Sequence, residues 1–158
     1  MKKFFIISFI LVIVDIIIKI LVQNFLTDKP LFIINNFLYL TYVKNEGAAF
    51  SILEGRSIFL ILVGVIAIFL IINYIKKHNY NFGLIMLFSG IIGNLIDRVF
   101  YGYVIDYIGT ILFNKYMPIF NFADILIVIG AFFVIVGSDK SENRSNNWFW
   151  RKNWSIFI

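Results

Sequence analysis

Two aspartates eighteen residues apart, Asp106 and Asp124, are the residues of this chain best suited to do chemistry. They lie in a stretch, residues 94–124, that opens with Asn94-Leu95-Ile96-Asp97-Arg98. It passes through Val104-Ile105-Asp106-Tyr107 and ends with Phe120-Asn121-Phe122-Ala123-Asp124. Apolar runs long enough to enter a membrane flank it, and charge near hydrocarbon is costly enough to be read as functional. A carboxyl pair activates water when the ionised member takes a proton from it and the neutral member donates one to the scissile carbonyl oxygen. Close like charges keep one proton between the two groups. Burial at a membrane edge pushes the same way, whereas the helix start before Asp124 favours negative charge there. Spacing leaves open which aspartate holds the proton. It also leaves open a plainer assignment, with Asp106 in a turn and Asp124 starting a helix.

The surrounding polar residues have spacings of their own. Asn94, Asp97 and Arg98 stand at i, i+3 and i+4, so they share a helix face. Asn121 and Asp124 are three apart. The asparagines are suited to orienting carboxylates or binding a peptide backbone. Arg98 is expected to pair with Asp97 and lie against lipid phosphate. Asp15 and Lys19 stand at i and i+4 in the first apolar run, and pairing lowers the cost of placing both near hydrocarbon. They are read as an ion pair holding the first span against the polar site. A Ser51/Lys19 nucleophilic dyad has no feature that brings its members together. The Gly-x-Ser-x-Gly elbow and the His-Glu-x-x-His metalloprotease motif are both absent. There is no cysteine and one histidine, His78, so thiol chemistry is excluded, and neither a metal nor another cofactor is expected.

The elements that must carry these groups are membrane elements. The 158 residues are 61% hydrophobic and 15% charged. Soluble domains average about 45–50% apolar and roughly 25% charged. The net charge of +5 is scattered among apolar runs without a basic stripe, so nucleic acid is not an expected partner. Four spans are predicted, at about 4–22, 57–74, 82–99 and 120–136. Together they form one membrane domain, residues 1–136, followed by a polar, aromatic tail at 137–158. The first run carries two charges and lacks small-residue cleavage positions, which argues for a retained span over a signal peptide. Leu31–Val43 alternates loosely and suits short strands. Gly83, Gly90 and Gly93 in the third span permit close helix contact. Asp106 falls in the loop joining the third and fourth spans. Eight positive residues collect on the side of the chain ends and five over the longer excursions on the other. The termini are therefore expected in the cytoplasm and the polar cluster at the outer face.

These blocks resemble one family. Asn45-Glu46-Gly47-Ala48-Ala49-Phe50-Ser51, Gly93-Asn94-Leu95-Ile96-Asp97-Arg98, Val104-Ile105-Asp106-Tyr107, Phe120-Asn121-Phe122-Ala123-Asp124 and the Asp15/Lys19 pair are similar, in content and order, to bacterial lipoprotein signal peptidase, signal peptidase II. Ile16, where the family usually has Gln, and Ile91-Ile92 depart from the pattern. The resemblance implies an integral membrane α-helical fold with four transmembrane helices, a small extracytoplasmic β-cradle and a short interfacial helix. It implies an aspartyl endopeptidase that cleaves diacylglyceryl-modified prolipoproteins just before the lipidated cysteine. Asp106 and Asp124 would be catalytic. Asn45, Asn94, Asp97, Arg98 and Asn121 would support dyad or substrate, and Asp15 and Lys19 would form a structural polar pair. Residues near Gly47–Gly55 would cover the site. The expected partners are lipid-modified prolipoproteins and membrane lipids, and the expected setting is a monomer in the bacterial cell membrane. The competing reading is a small transporter or ion-conducting subunit that uses the intramembrane charges as a pathway. A membrane scaffold without catalytic activity is the third.

Overall fold

In the computed structural model, residues 1–26, 29–47, 55–78 and 80–136 are described. Three helices are long and apolar enough to cross a membrane: α1, Lys2–Phe25; α2, Ser57–Lys77; and α3, Phe82–Tyr101. At 1.5 Å per residue each reaches about 30 Å or more, the thickness of a bilayer's hydrocarbon core. A fourth apolar helix, α4, Phe122–Val136, is shorter over its described residues. The helices extend a few residues beyond the expected spans at several ends. Their outward faces are apolar, with Phe9 of α1 67% exposed and Val128 of α4 68% exposed, as lipid-facing side chains should be. The tail at 137–158, residues 48–54 of the segment expected to cover the site, with Ser51 among them, and Asn79 lie outside the described residues.

Between the helices runs an antiparallel sheet in the order β1-β2-β3-β4. Its strands are β1, Leu31–Ile34; β2, Leu38–Asn45; β3, Val104–Leu112; and β4, Lys115–Tyr116. The first two fall where the sequence places strands. The third corrects the sequence reading, because Asp106 sits in a strand rather than in a loop or turn. Val43 pairs with Asp106 and Asn45 with Val104, so Asn45 stands two residues along the ladder from the partner of Asp106. After β4 the chain turns back beside β3. Phe120 makes a bridge to Ile108, with backbone bonds of 2.8 and 3.1 Å. That return delivers Asn121 and the start of α4 next to Asp106.

The link from α3 to β3 is equally short. Gly102 ends α3 in the left-handed conformation at φ 83° and donates its N–H to the Arg98 carbonyl at 3.0 Å. Asp97 then accepts the Ile105 N–H at 3.1 Å, tying the first turn of β3 to the last turn of α3. At the far end of the bundle, Phe4, Ile71, Ile75, Leu84, Ile85 and Phe88 form an apolar core, and at the sheet end Val22, Ile105 and Tyr107 form another.

α3 and α4 meet backbone to backbone. A Cβ on Gly83 would come within 2.9 Å of the Gly130 carbonyl. One on Gly90 would overlap the Ala123 carbonyl and lie 2.8 Å from Ile127 Cγ1. Ala123 immediately precedes Asp124. Gly90→Ala should therefore push the start of α4 off α3 at a cost of about 1–3 kcal/mol. Its thermal transition in detergent should fall, with precursor cleavage falling beside it. An unchanged transition would contradict this helix contact.

Candidate active site

The start of α4 organises the site. The first N–H groups of a helix have no partner within it, and here each finds one elsewhere. Asn121 caps the helix: its Oδ1 accepts the Asp124 N–H at 2.9 Å, while Asp124 Oδ2 accepts the Asn121 N–H at 3.1 Å. This is the reciprocal arrangement of a capping box. The Phe122 N–H donates to the Tyr107 hydroxyl at 3.1 Å. The Ala123 N–H donates to Asp15 Oδ1 at 3.1 Å. The helix is thus docked onto β3 and α1 by its own first turn, and Asp124 is held there by the bonds that begin the helix.

Asn121 does more than cap. It is fully buried, and its Nδ2 donates to Asp106 Oδ1 at 2.7 Å and to Asn94 Oδ1 at 3.2 Å. Asn94 Nδ2 donates to Asp124 Oδ1 at 2.7 Å, and Asn45 Nδ2 donates to Asp106 Oδ2 at 2.7 Å. Every oxygen of the two carboxyl groups therefore accepts one N–H. The two aspartates, contributed by β3 and α4, are joined through one asparagine.

Beneath them lies a buried ionic group. Lys19 Nζ stands 2.8 Å from Asp15 Oδ2, 2.8 Å from Asp97 Oδ2 and 3.2 Å from Asn94 Oδ1. The i, i+4 pair of α1 is thus part of a triad that also engages α3. Arg98 does not pair with Asp97 as expected. Its guanidinium donates to the Gly47 carbonyl at 2.9 Å and to the Asn94 carbonyl at 3.4 Å. Adjacent residues on a helix point in different directions, so Lys19 takes Asp97 while Arg98 reaches Gly47, two residues past the end of β2. Two participants were not read from the sequence as members of the site: the Tyr107 hydroxyl and the Ala123 N–H. Tyr107 carried a faint signal, standing beside Asp106 in an apolar run.

The electrostatics set Asp106 apart. Burial raises its carboxyl most, with the neighbouring Asp124 charge adding to the rise. The bonds from Asn45 and Asn121 and the charge of Lys19 oppose it, and the result is a pKa of about 6. Burial likewise raises the Tyr107 hydroxyl, which therefore stays neutral. Among the described residues, no three or more His, Asp or Glu side chains converge as a metal site would require. Among the described residues, the buried ionisable groups stop at Asp15, and beyond it the core between the helices is apolar apart from the Ser8 and Ser89 hydroxyls. Among the described residues, the charges therefore form no pathway across a bilayer.

Comparison with known proteins gives concordant findings. The family model described as signal peptidase (SPase) II matches residues 7–138. The lipoprotein signal peptidase of Enterococcus faecalis is 40% identical over 134 residues, 80% of this chain and 82% of that one. That of Caldanaerobacter subterraneus subsp. tengcongensis is 43% identical over 109 residues, covering 66% and 72%. A bacterial membrane enzyme solved by the in meso method at 2.3 Å superposes with a TM-score of 0.81. It is 31% identical, over 91% of this chain and 92% of that chain.

Proposed function

This chain belongs to the signal peptidase II family, and from that premise we propose that it hydrolyses the signal-peptide bond of lipid-modified prolipoproteins, with Asp106 and Asp124 as the water-activating pair. The observation that carries the assignment of the pair is their convergence: two carboxyl groups from separate elements meet on Asn121, at the sheet end of the helices. Asp106, with its raised pKa, holds the proton. Asp124 takes a proton from water as the water oxygen attacks the scissile carbonyl carbon, and Asp106 gives its proton to the carbonyl oxygen. The tetrahedral species collapses when the departing amine receives the proton that Asp124 gained and the hydroxyl proton returns to Asp106. Products are the free signal peptide and a new amino terminus at the lipidated cysteine. Asn45, Asn94 and Asn121 hold the carboxylates, and Arg98 fixes Gly47, in the chain just past β2, beside them.

Residues 1–136 form the catalytic unit, which acts as a monomer in the bacterial cell membrane. Both termini and the tail 137–158 are cytoplasmic, and the site faces outward, where the lipid anchor of the substrate lies in the outer leaflet. The balance of positive residues supports this orientation. A cysteine placed at Lys76 should react with a membrane-impermeant thiol reagent only after the cell is opened, whereas one at Phe113 should react in intact cells. The opposite pattern would reverse the topology.

The functional test is cleavage of a synthetic diacylglyceryl precursor by the purified protein, read by mass spectrometry at the residue before the lipidated cysteine. No product, or cleavage elsewhere, would reject the assignment. The pH profile is a second check. Asp106 must keep its proton to act as the acid, so kcat/KM should be present below about pH 6 and fall as pH rises through that value. Asn45→Ala removes a bond that favours the anion and should move this alkaline limb upward by about one pH unit. A limb that stays in place would detach it from Asp106.

A further inference from the structure

We infer that Lys19 is a positioning residue for this hydrolysis, its ammonium fixing which end of the Asn94 side-chain amide faces Asp124. The inference rests on the aspartate-pair reading above. An asparagine amide is nearly symmetric in shape, and only its hydrogen-bond partners decide which way it points. Asn94 Oδ1 accepts from Lys19 Nζ at 3.2 Å and from Asn121 Nδ2 at 3.2 Å, and its Nδ2 donates to Asp124 Oδ1 at 2.7 Å. Turned round, the NH2 of Asn94 would face an ammonium and a second NH2, and its carbonyl would face a carboxylate oxygen.

Lys19 is the fixed end of this series. An ammonium has three donors and no acceptor, and Lys19, 2% exposed, donates to Asn94 Oδ1 while standing at ion-pair distance from Asp15 and Asp97. A purely structural ion pair needs one carboxylate. The contact to Asn94 is the one such a pair does not require, and it points toward the site. Asn121 Nδ2 gives the same oxygen a second donor, but a neutral one shared with Asp106, so the charged donor is the stronger of the two. A charge buried between α1 and α3 thereby sets the direction of the donor that holds Asp124. The effect belongs in kcat, since Lys19 lies beneath the carboxyl pair and presents nothing to a peptide.

The test must remove Lys19 without leaving its partners charged and unpaired. In Asp15→Asn/Lys19→Met/Asp97→Asn the amides still accept the Ala123 and Ile105 N–H groups. For this triple variant, kcat on the lipidated precursor should fall about 10- to 100-fold, as small displacements of reacting groups do. KM should stay within about twofold and the melting transition near that of the wild type. Placed on Asn94→Ala, the same three substitutions should lower kcat by no more than about twofold, because the amide through which they act is gone. Full kcat in the triple variant overturns the role of Lys19, as does a loss that multiplies undiminished onto Asn94→Ala. If the triple variant does not fold, Asp15→Asn/Lys19→Leu/Asp97→Asn, which is equally neutral, carries the same readouts. Asp124→Asn, run alongside, separates two kinds of failure. Cleavage by Asp124→Asn overturns the aspartate pair and this inference together, whereas its inactivity beside a fully active triple variant overturns only Lys19.

Discussion

Asp106→Asn and Asp124→Asn should each lower hydrolysis of a lipidated precursor by at least about 10³-fold, close to or beyond the limit of detection. General acid or general base action contributes about 10²–10⁴-fold, and each substitution removes one of the two roles and the proton shared between them. The geometry adds a second, smaller effect. All four carboxyl oxygens accept an N–H: from Asn45 and Asn121 at Asp106, and from Asn94 and the Asn121 backbone at Asp124. An amide in either place must turn its NH2 toward one of those donors. One buried N–H then loses its partner, at about 1–3 kcal/mol. A 10³-fold loss in rate corresponds to about 4 kcal/mol of barrier, so the two effects are separable. Thermal melting in detergent should show a modest drop for both variants, while cleavage by mass spectrometry shows near-complete loss. Turnover within tenfold of wild type in either variant would remove that aspartate from the chemistry.

Much of this site is legible in the chain because its contacts are short-range in helical terms. Asp15 and Lys19 are one turn apart, as are Asn94 and Asp97, and Asn121 and Asp124 carry the spacing of a helix cap. What escapes is whatever depends on long-range pairing. β3 was read as a loop because Val104 to Tyr107 is buried on both faces, so the alternation that marks a half-exposed strand is missing. Its partner β2 lies some sixty residues earlier, at Val43 to Asn45. The competition for Asp97 was equally hidden. Arg98 is its sequence neighbour, but adjacent helical side chains diverge, and Lys19 from another helix wins. Backbone partners such as the Ala123 N–H leave no trace in residue identity at all. The family resemblance named residues that the structure brings together, without indicating that the helix cap and the proposed catalytic carboxylate are one structure.

The buried triad yields the largest expected effect on stability. Lys19→Met should destabilise the protein by about 3–5 kcal/mol, the usual cost of removing one partner from a buried ion pair. Asp15 is 1% exposed and Asp97 3% exposed, and both would lose their only cation within salt-bridge distance among the described residues. Each keeps one backbone donor, from Ala123 and Ile105 respectively, which is not enough to offset a negative charge in that setting. Asp15→Asn/Asp97→Asn added to Lys19→Met should recover most of it at neutral pH, since replacing a whole buried ionic group by neutral groups of similar size is often close to neutral. Thermal unfolding of the single and triple variants at neutral pH tests both statements. A single variant as stable as wild type at neutral pH would mean that the three charges are not held together as the distances indicate. Recovery in the triple variant without recovery of kcat would separate the two tasks of Lys19: stabilising the junction of α1 with α3, and aiming Asn94 at Asp124.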